Sequence, residues 1–220
     1  MELHTFCEPH LFRHGQPKLQ KALLGSTDSP LTQTGWRELE NTFDKLDTFD
    51  YLISSSLIRC ADFAKQYAQD NNIHPHFQIV SNWQECYFGD WDGKTYEDLH
   101  AQQPQAMKQF FDDPGSNTPP NGEPLSDFST RIELALHQLL EQYQGKRIAV
   151  LTHAGVIRTL VAWCLNIDYQ SGIQFKRFAI DYASVTHISI YQENGHPPFP
   201  QLKFLNKQAE LFDSRVSKNG

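Results

Sequence analysis

Short apolar runs of strand length alternate with helical patterns along this chain, and no other feature restricts the fold as strongly. Leu11-Phe12 closes a first run, Tyr51-Leu52-Ile53 forms a second, residues 77–80 a third and 147–152 a fourth, while Thr186, Ile188 and Ile190 alternate in a fifth. Helical periodicity fills the intervals. It is clearest over residues 125–142, where Phe128, Ile132, Ala135, Leu136, Leu139 and Leu140 recur at three- and four-residue spacing and Gly145 follows. Further helices are expected over residues 32–46, 57–69, 104–111 and 155–165. The alternation predicts an α/β three-layer sandwich, a largely parallel central sheet with helices on both faces, whose ligands sit at the carboxyl ends of the strands. Residues 112–124, rich in Pro, Gly and Asn, read as a loop, because core segments flank them on both sides. The whole chain, 1–220, is expected to be one domain with an inserted loop and helical region at about 93–124. Pro9 is the misfit: it cannot donate to a central ladder, so the first strand should begin near His10 or be edge-like at its start.

Charge narrows the partners. Nineteen Lys and Arg against 26 Asp and Glu leave a formal charge of -7, which gives no broad field for nucleic acid or anionic lipid. An anion must therefore be held by a few placed residues. The first seven residues lack the basic start and apolar run of a signal peptide, and His153 and Arg158 interrupt the most apolar stretch, 148–165, so the expected location is cytoplasmic. The four cysteines, Cys7, Cys60, Cys86 and Cys164, stand too far apart for a CxxC motif and read as reduced thiols, mostly packing.

Three strand ends carry the chemistry. Arg13-His14-Gly15 follows the first run, Ser54-Ser55-Ser56-Leu57-Ile58-Arg59 the second, and Thr152-His153-Ala154-Gly155 the fourth, where a helix begins and its amides can face an anion. Each alone reads as readily as a turn or a cap; together they supply two histidines and two arginines to one pocket. Guanidinium forks hold a phosphate dianion bidentately, and their charge favours a neutral histidine whose lone pair can attack phosphorus. A leaving alkoxide also needs a proton. Glu85, in a segment with Trp83, Tyr87, Phe88 and Trp91, is the candidate, with desolvation by those rings expected to raise its pKa.

These motifs resemble, in order, those of the histidine phosphatase superfamily, the phosphoglycerate mutase-like fold. The similarity runs through residues 11–16, 25–35, 54–59, 85–93, Gly122-Glu123 and 151–158. It implies a metal-independent, cofactor-free phosphomonoesterase in which His14 is the phosphorylated nucleophile, Arg13, Arg59 and His153 hold the phosphoryl group, and Glu85 donates the proton and later acts as base for water. Gln16, Ser26 and Ala154 lie in motifs that the family uses around the phosphate. The short connection from Gly93 to Gly122 is similar to the phosphatases of the family, where mutases carry a longer insertion, and the segments Pro119-Pro120-Asn121-Gly122-Glu123 and Tyr182-Ala183-Ser184-Val185-Thr186 resemble its α-ribazole phosphatase branch. The resemblance implies a small phosphomonoester as partner and leaves the oligomeric state open. Ser56, Phe63 and Pro9 depart from the usual pattern without touching the proposed chemical residues.

Other readings draw on fewer residues. His74-Pro75-His76 suggests a metal, yet no further ligand stands at a recognised spacing. Cys7 near His10 is a weaker nucleophile candidate than His14, and Lys203, Phe204 and Lys207 form no stripe for nucleic acid and read as a solvated face. A phosphate-binding module without catalysis would be expected to lack the nucleophile or the acid, and His14 and Glu85 are both present.

Overall fold

A computed structural model describes residues 4–46, 48–73, 76–168, 171–193 and 195–212; the first three residues of the chain, and His74 and Pro75 of the histidine pair, lie outside them. Six strands form one sheet: β1 (His4–Arg13), β2 (Tyr51–Ser54), β3 (Phe77–Ile79), β4 (Arg147–Thr152), β5 (Val185–Glu193) and β6 (Phe199–Lys207), in the order β3-β2-β4-β1-β5-β6. β1 to β4 run parallel, and β5 alone is reversed, pairing antiparallel with β1 and with β6.

β4, Arg-Ile-Ala-Val-Leu-Thr, is buried from its second residue onward, as a parallel strand covered on both faces must be. Its alternate residues divide the core. Ile148 and Val150 face α5 (Leu125–Gln142) and α6 (Ala154–Cys164); Ala149 and Leu151 face α1 (Gln33–Asp44) and α2 (Ile58–Asp70). The six apolar positions expected on the helix at 125–142 are all buried in α5, and Gly145 beyond it has a φ of +73°, where a side chain would be strained. Thr32, expected inside the first helix, is its cap: Oγ1 accepts from the Gly35 amide at 2.9 Å.

Three elements were not anticipated. α3 (Tyr96–Gln102) precedes α4 (Pro104–Asp112), and its cap was present in the sequence as Thr95 three residues before Asp98, whose amide Thr95 Oγ1 accepts at 3.0 Å. Leu23, Trp91, Leu99 and Met107 give this insertion a small core of its own. A single turn, α7 (Gln174–Arg177), follows α6. β6 carries Lys203, Phe204 and Lys207 along the sheet edge, where weak alternation behind Phe199-Pro200 hid it. Residues 113–124 form neither helix nor strand.

Pro9 corrects an expectation. β1 already runs at His4 and is an inner strand, so it neither starts at His10 nor lies at an edge. Glu8 donates to the Lys146 carbonyl on the β4 side (2.9 Å), so alternation turns the Pro9 nitrogen toward β5. There the pairing lapses between Cys7 and His10 and resumes in the same register. The missing donor is absorbed by a two-residue gap in one ladder.

Cys7, Cys60 and Cys86 are buried and Cys164 half-buried, all as free thiols, and burial pushes the Cys7 thiol up to about 12. Among the described residues no helix is long and apolar enough to cross a membrane.

Candidate active site

β2, β4 and β1 are neighbours, so their carboxyl ends bring the three motifs together. The ladders extend into the loops: the His14 amide donates to the Thr152 carbonyl at 3.0 Å, and Ser55 to Leu151 at 2.9 Å. Gly15 is fixed by contact, since a Cβ there would lie 1.9 Å from the carbonyl oxygen of Gly35 in α1.

His14 is buried, and its Nδ1 hydrogen bonds the Gly15 carbonyl at 2.8 Å. That acceptor assigns the proton to Nδ1 and leaves the Nε2 lone pair free. Burial, then the charges of Arg59 and Arg13, hold the ring well below the usual histidine pKa, so it is neutral at pH 7.

Arg59, at the start of α2, is fully buried. Its Nε donates to His153 Nδ1 (3.2 Å), and its terminal nitrogens donate to the carbonyls of Thr27 (3.0 Å), Leu24 (3.2 Å) and Gly25 (2.7 Å). His153 is thereby protonated on Nε2, which donates to Ser55 Oγ at 2.7 Å. Its ring lies 5.2 Å from that of His14, and burial with Arg59 keeps it neutral too. The 24–28 loop is gripped from the other side by Asp92, whose carboxylate accepts from the amides of Ser26 and Thr27, each at 2.8 Å.

Arg13 leaves β1 between the Ile180 carbonyl, to which one terminal nitrogen donates, and the ring of Tyr182, 3.9 Å from the guanidinium carbon; its Nε is buried without a partner among the described residues. Glu85 accepts from the Cys86 amide (3.1 Å) and from the Gly155 amide in the first turn of α6 (2.9 Å). A Cβ on Gly155 would sit 2.2 Å from that carboxylate. Of the four rings expected around Glu85, Phe88 shares the cleft lining with it, Tyr87 is exposed, and Trp83 and Trp91 are buried in separate core clusters. The Glu85 segment is held instead by Arg131 of α5, which donates to the carbonyls of Asn82 (2.9 Å) and Gln84 (3.1 Å) and, through Nε and Nη2, to both oxygens of Glu123 (2.9 Å each).

A cleft of about 410 Å³ opens on these groups. Of the expected residues Arg13, His14, Glu85 and Ala154 line it; Arg59 and His153 stand behind its wall, and Gln16 and Ser26 are not in its lining. Gln16 is turned to Thr32, whose hydroxyl lies 3.3 Å from its Oε1. Three contributors were missed. Arg158 lines the cleft one turn beyond Ala154, a spacing that could have revealed it. Asp92 and Arg131 act across 65 and 46 residues on the segments they hold, and no local signal marks them. Among the described residues no cluster of three or more His, Cys, Asp or Glu is arranged to hold a metal.

The neutral histidines give a stability prediction. His10 and His187 stack at 3.9 Å on β1 and β5, and burial followed by the charge of His187 lowers His10 to about 3. His14, His153 and His187 are also lowered. A native pKa below the unfolded value, about 6.5, means that the unfolded chain binds protons first as pH falls. Stability is therefore whole above about pH 6.5 and drops below it, by up to about 1.4 kcal/mol per histidine for each pH unit until the native pKa is reached. Melting followed by circular dichroism from pH 7.5 to 4.5 should show Tm falling steadily; a constant Tm would contradict the buried neutral rings.

A parallel-strand cleft holding a neutral histidine, arginines and a carboxylate defines an α/β protein built to handle phosphoryl groups. The chain belongs to the histidine phosphatase superfamily, branch 1, whose family model matches residues 10–198, and it is a phosphatase of that superfamily. The adenosylcobalamin/alpha-ribazole phosphatase of Escherichia coli K12 is 28% identical over 203 residues, covering 90% of this chain and 95% of the relative. The crystal structure of the alpha-ribazole phosphatase from Shigella flexneri superposes with a TM-score of 0.76 at 26% identity, covering 91% and 96% of the two chains. A mycobacterial glucosyl-3-phosphoglycerate phosphatase shares the fold, with a TM-score of 0.78 at 20% identity over 94% of this chain and all of that one.

Proposed function

We propose that the chain hydrolyses phosphomonoesters through a phosphohistidine at His14, and that its substrate is α-ribazole 5′-phosphate, released as α-ribazole and phosphate in cobalamin assembly. The observation that carries this is the free Nε2 of a neutral, cleft-lining His14 whose other nitrogen is held by Gly15. The lone pair attacks phosphorus as the ester P–O bond breaks, and Glu85 gives its proton to the leaving alkoxide. Nδ1–H keeps its bond to Gly15 as the ring becomes cationic. Water then attacks phosphorus, Glu85 takes its proton, and the P–N bond breaks to return neutral His14. Arg13, in the cleft lining, answers the charge on the phosphoryl oxygens, and Arg59, whose side-chain nitrogens are already bonded, adds its positive charge from behind the wall.

The leaving-group side favours an aromatic base. Phe88, Tyr96, Phe110, Phe111, Phe175 and Tyr182 line the cleft, and Tyr96 and Phe111 are exposed at 43% and 40%. A benzimidazole ring stacks on such walls. Four free thiols fit a reducing cytoplasm.

Steady-state comparison of α-ribazole 5′-phosphate with ribose 5-phosphate, AMP and 3-phosphoglycerate tests the substrate. kcat/KM for α-ribazole 5′-phosphate should be at least about tenfold the others, the usual worth of one filled apolar subsite. Equal values would remove the cobalamin substrate and leave the phosphatase; isomerisation of 3-phosphoglycerate would make the chain a mutase.

A further inference from the structure

Arg158 is a guanidinium in the cleft that the steps above do not use. Its Nε donates to the Phe178 carbonyl at 2.8 Å, which fixes the plane of the fork. Its two terminal nitrogens have no hydrogen-bond partner among the described residues, and it lines the cleft. Arg59 differs in both respects, being outside the lining and bonded to three carbonyls of the 24–28 loop. The charged and titratable groups that act on Arg158 are Glu85, Tyr96 and Asp181, and it acts in turn on Arg13. Asp181 accepts from the side-chain amide of Asn206 at 2.8 Å, and Glu85 is engaged by two backbone amides. Arg158 thus shares the cleft with Glu85, the proton donor, and with Tyr96 of the aromatic wall.

We infer that Arg158 is a specificity-determining residue, whose unspent fork binds a pair of adjacent oxygens on the leaving group, a vicinal diol or a carboxylate. The inference rests on the phosphatase reading for the direction in which substrate lies, phosphoryl group on His14 and leaving group toward Tyr96. A planar fork with two parallel donors matches two acceptors on neighbouring atoms, and a lysine cannot reproduce that match. Alkyl phosphates without such a pair would leave the fork unmatched, which gives discrimination by a lost charge-assisted bond.

Equilibrium binding separates this from a role at the phosphoryl group. In a His14→Ala background, which prevents turnover, dissociation constants are measured by calorimetry for inorganic phosphate, ribose 5-phosphate and 3-phosphoglycerate, with and without Arg158→Met. Ribose 5-phosphate supplies the diol and 3-phosphoglycerate the carboxylate. Arg158→Met should loosen at least one of these esters about tenfold or more, as expected for charge-assisted bonds, and inorganic phosphate less than twofold. Whichever ester loosens names the oxygen pair. Arg158→Lys, which keeps the stem and the charge, should give the same pattern and covers the case in which Arg158→Met does not fold. Equal loosening of inorganic phosphate, or no loosening of either ester, would overturn the inference. Failure of the chain to form a phosphohistidine would sink the catalytic reading separately, since these constants need no turnover.

Discussion

His14→Ala should abolish both phosphoenzyme labelling and turnover. With ³²P-labelled ester, intact protein quenched rapidly in alkali should retain label, and quenched in acid should lose it, because a phosphoramidate is acid-labile and alkali-stable. The alanine variant should carry none under either condition. Its kcat should fall on the order of 10⁶-fold, the scale at which a covalent enzyme loses its nucleophile. Melting temperature at neutral pH serves as the control, since the substitution also removes a buried ring packed near His153 and Tyr182. Full activity without label would show that water attacks phosphorus directly.

Glu85→Gln should divide substrates by leaving group. A ribosyl alkoxide is strongly basic and needs a proton as it departs, whereas p-nitrophenolate leaves unaided. Glutamine can still accept from the amides of Cys86 and Gly155 through its one carbonyl oxygen, so the segment keeps much of its anchoring, but it has no acidic proton. The burst of phosphoenzyme from an alkyl ester should slow by roughly 10²–10⁴-fold, and the burst from p-nitrophenyl phosphate far less. The burst must be read directly, because in the proposed mechanism the later attack of water also uses Glu85 as base. Equal slowing for the two esters would make Glu85 a group that positions phosphate and would place the acid elsewhere.

The fold was legible wherever burial imposes a period. β4 and α5 have the bounds their apolar patterns predict, because both are covered on the faces that the pattern marks. β6 was not, since an edge strand with exposed alternate residues needs no strong pattern. Pro9 misled for a different reason: a ladder can lapse for two residues at an inner strand if its other edge stays paired. At the site, contiguous motifs at strand ends could be read because each lies within a few residues of its strand. Arg131 and Asp92 could not, being distant in sequence from the segments they hold. The surroundings of Glu85 are only partly legible, because nearness in sequence says nothing about which way an irregular segment turns its side chains: Phe88 shares the cleft, both indoles are buried in the core, and the carboxylate meets backbone amides.

The separate core of the 93–112 insertion has a consequence for how such a protein can diverge. Leu23 and Phe110 line the cleft and pack within or on the cluster of Trp91, Leu99 and Met107, apart from the two clusters that clamp the sheet, and Phe88 alone of the cleft rings bridges this cluster and the one under α5 and α6. A change of size in that cluster reshapes the aromatic wall of the cleft while β1, β2 and β4 keep their register and His14 its place. Selectivity and reactivity thus rest largely on different side chains. A lineage can try new esters by repacking a handful of side chains, with His14 carried along unaltered.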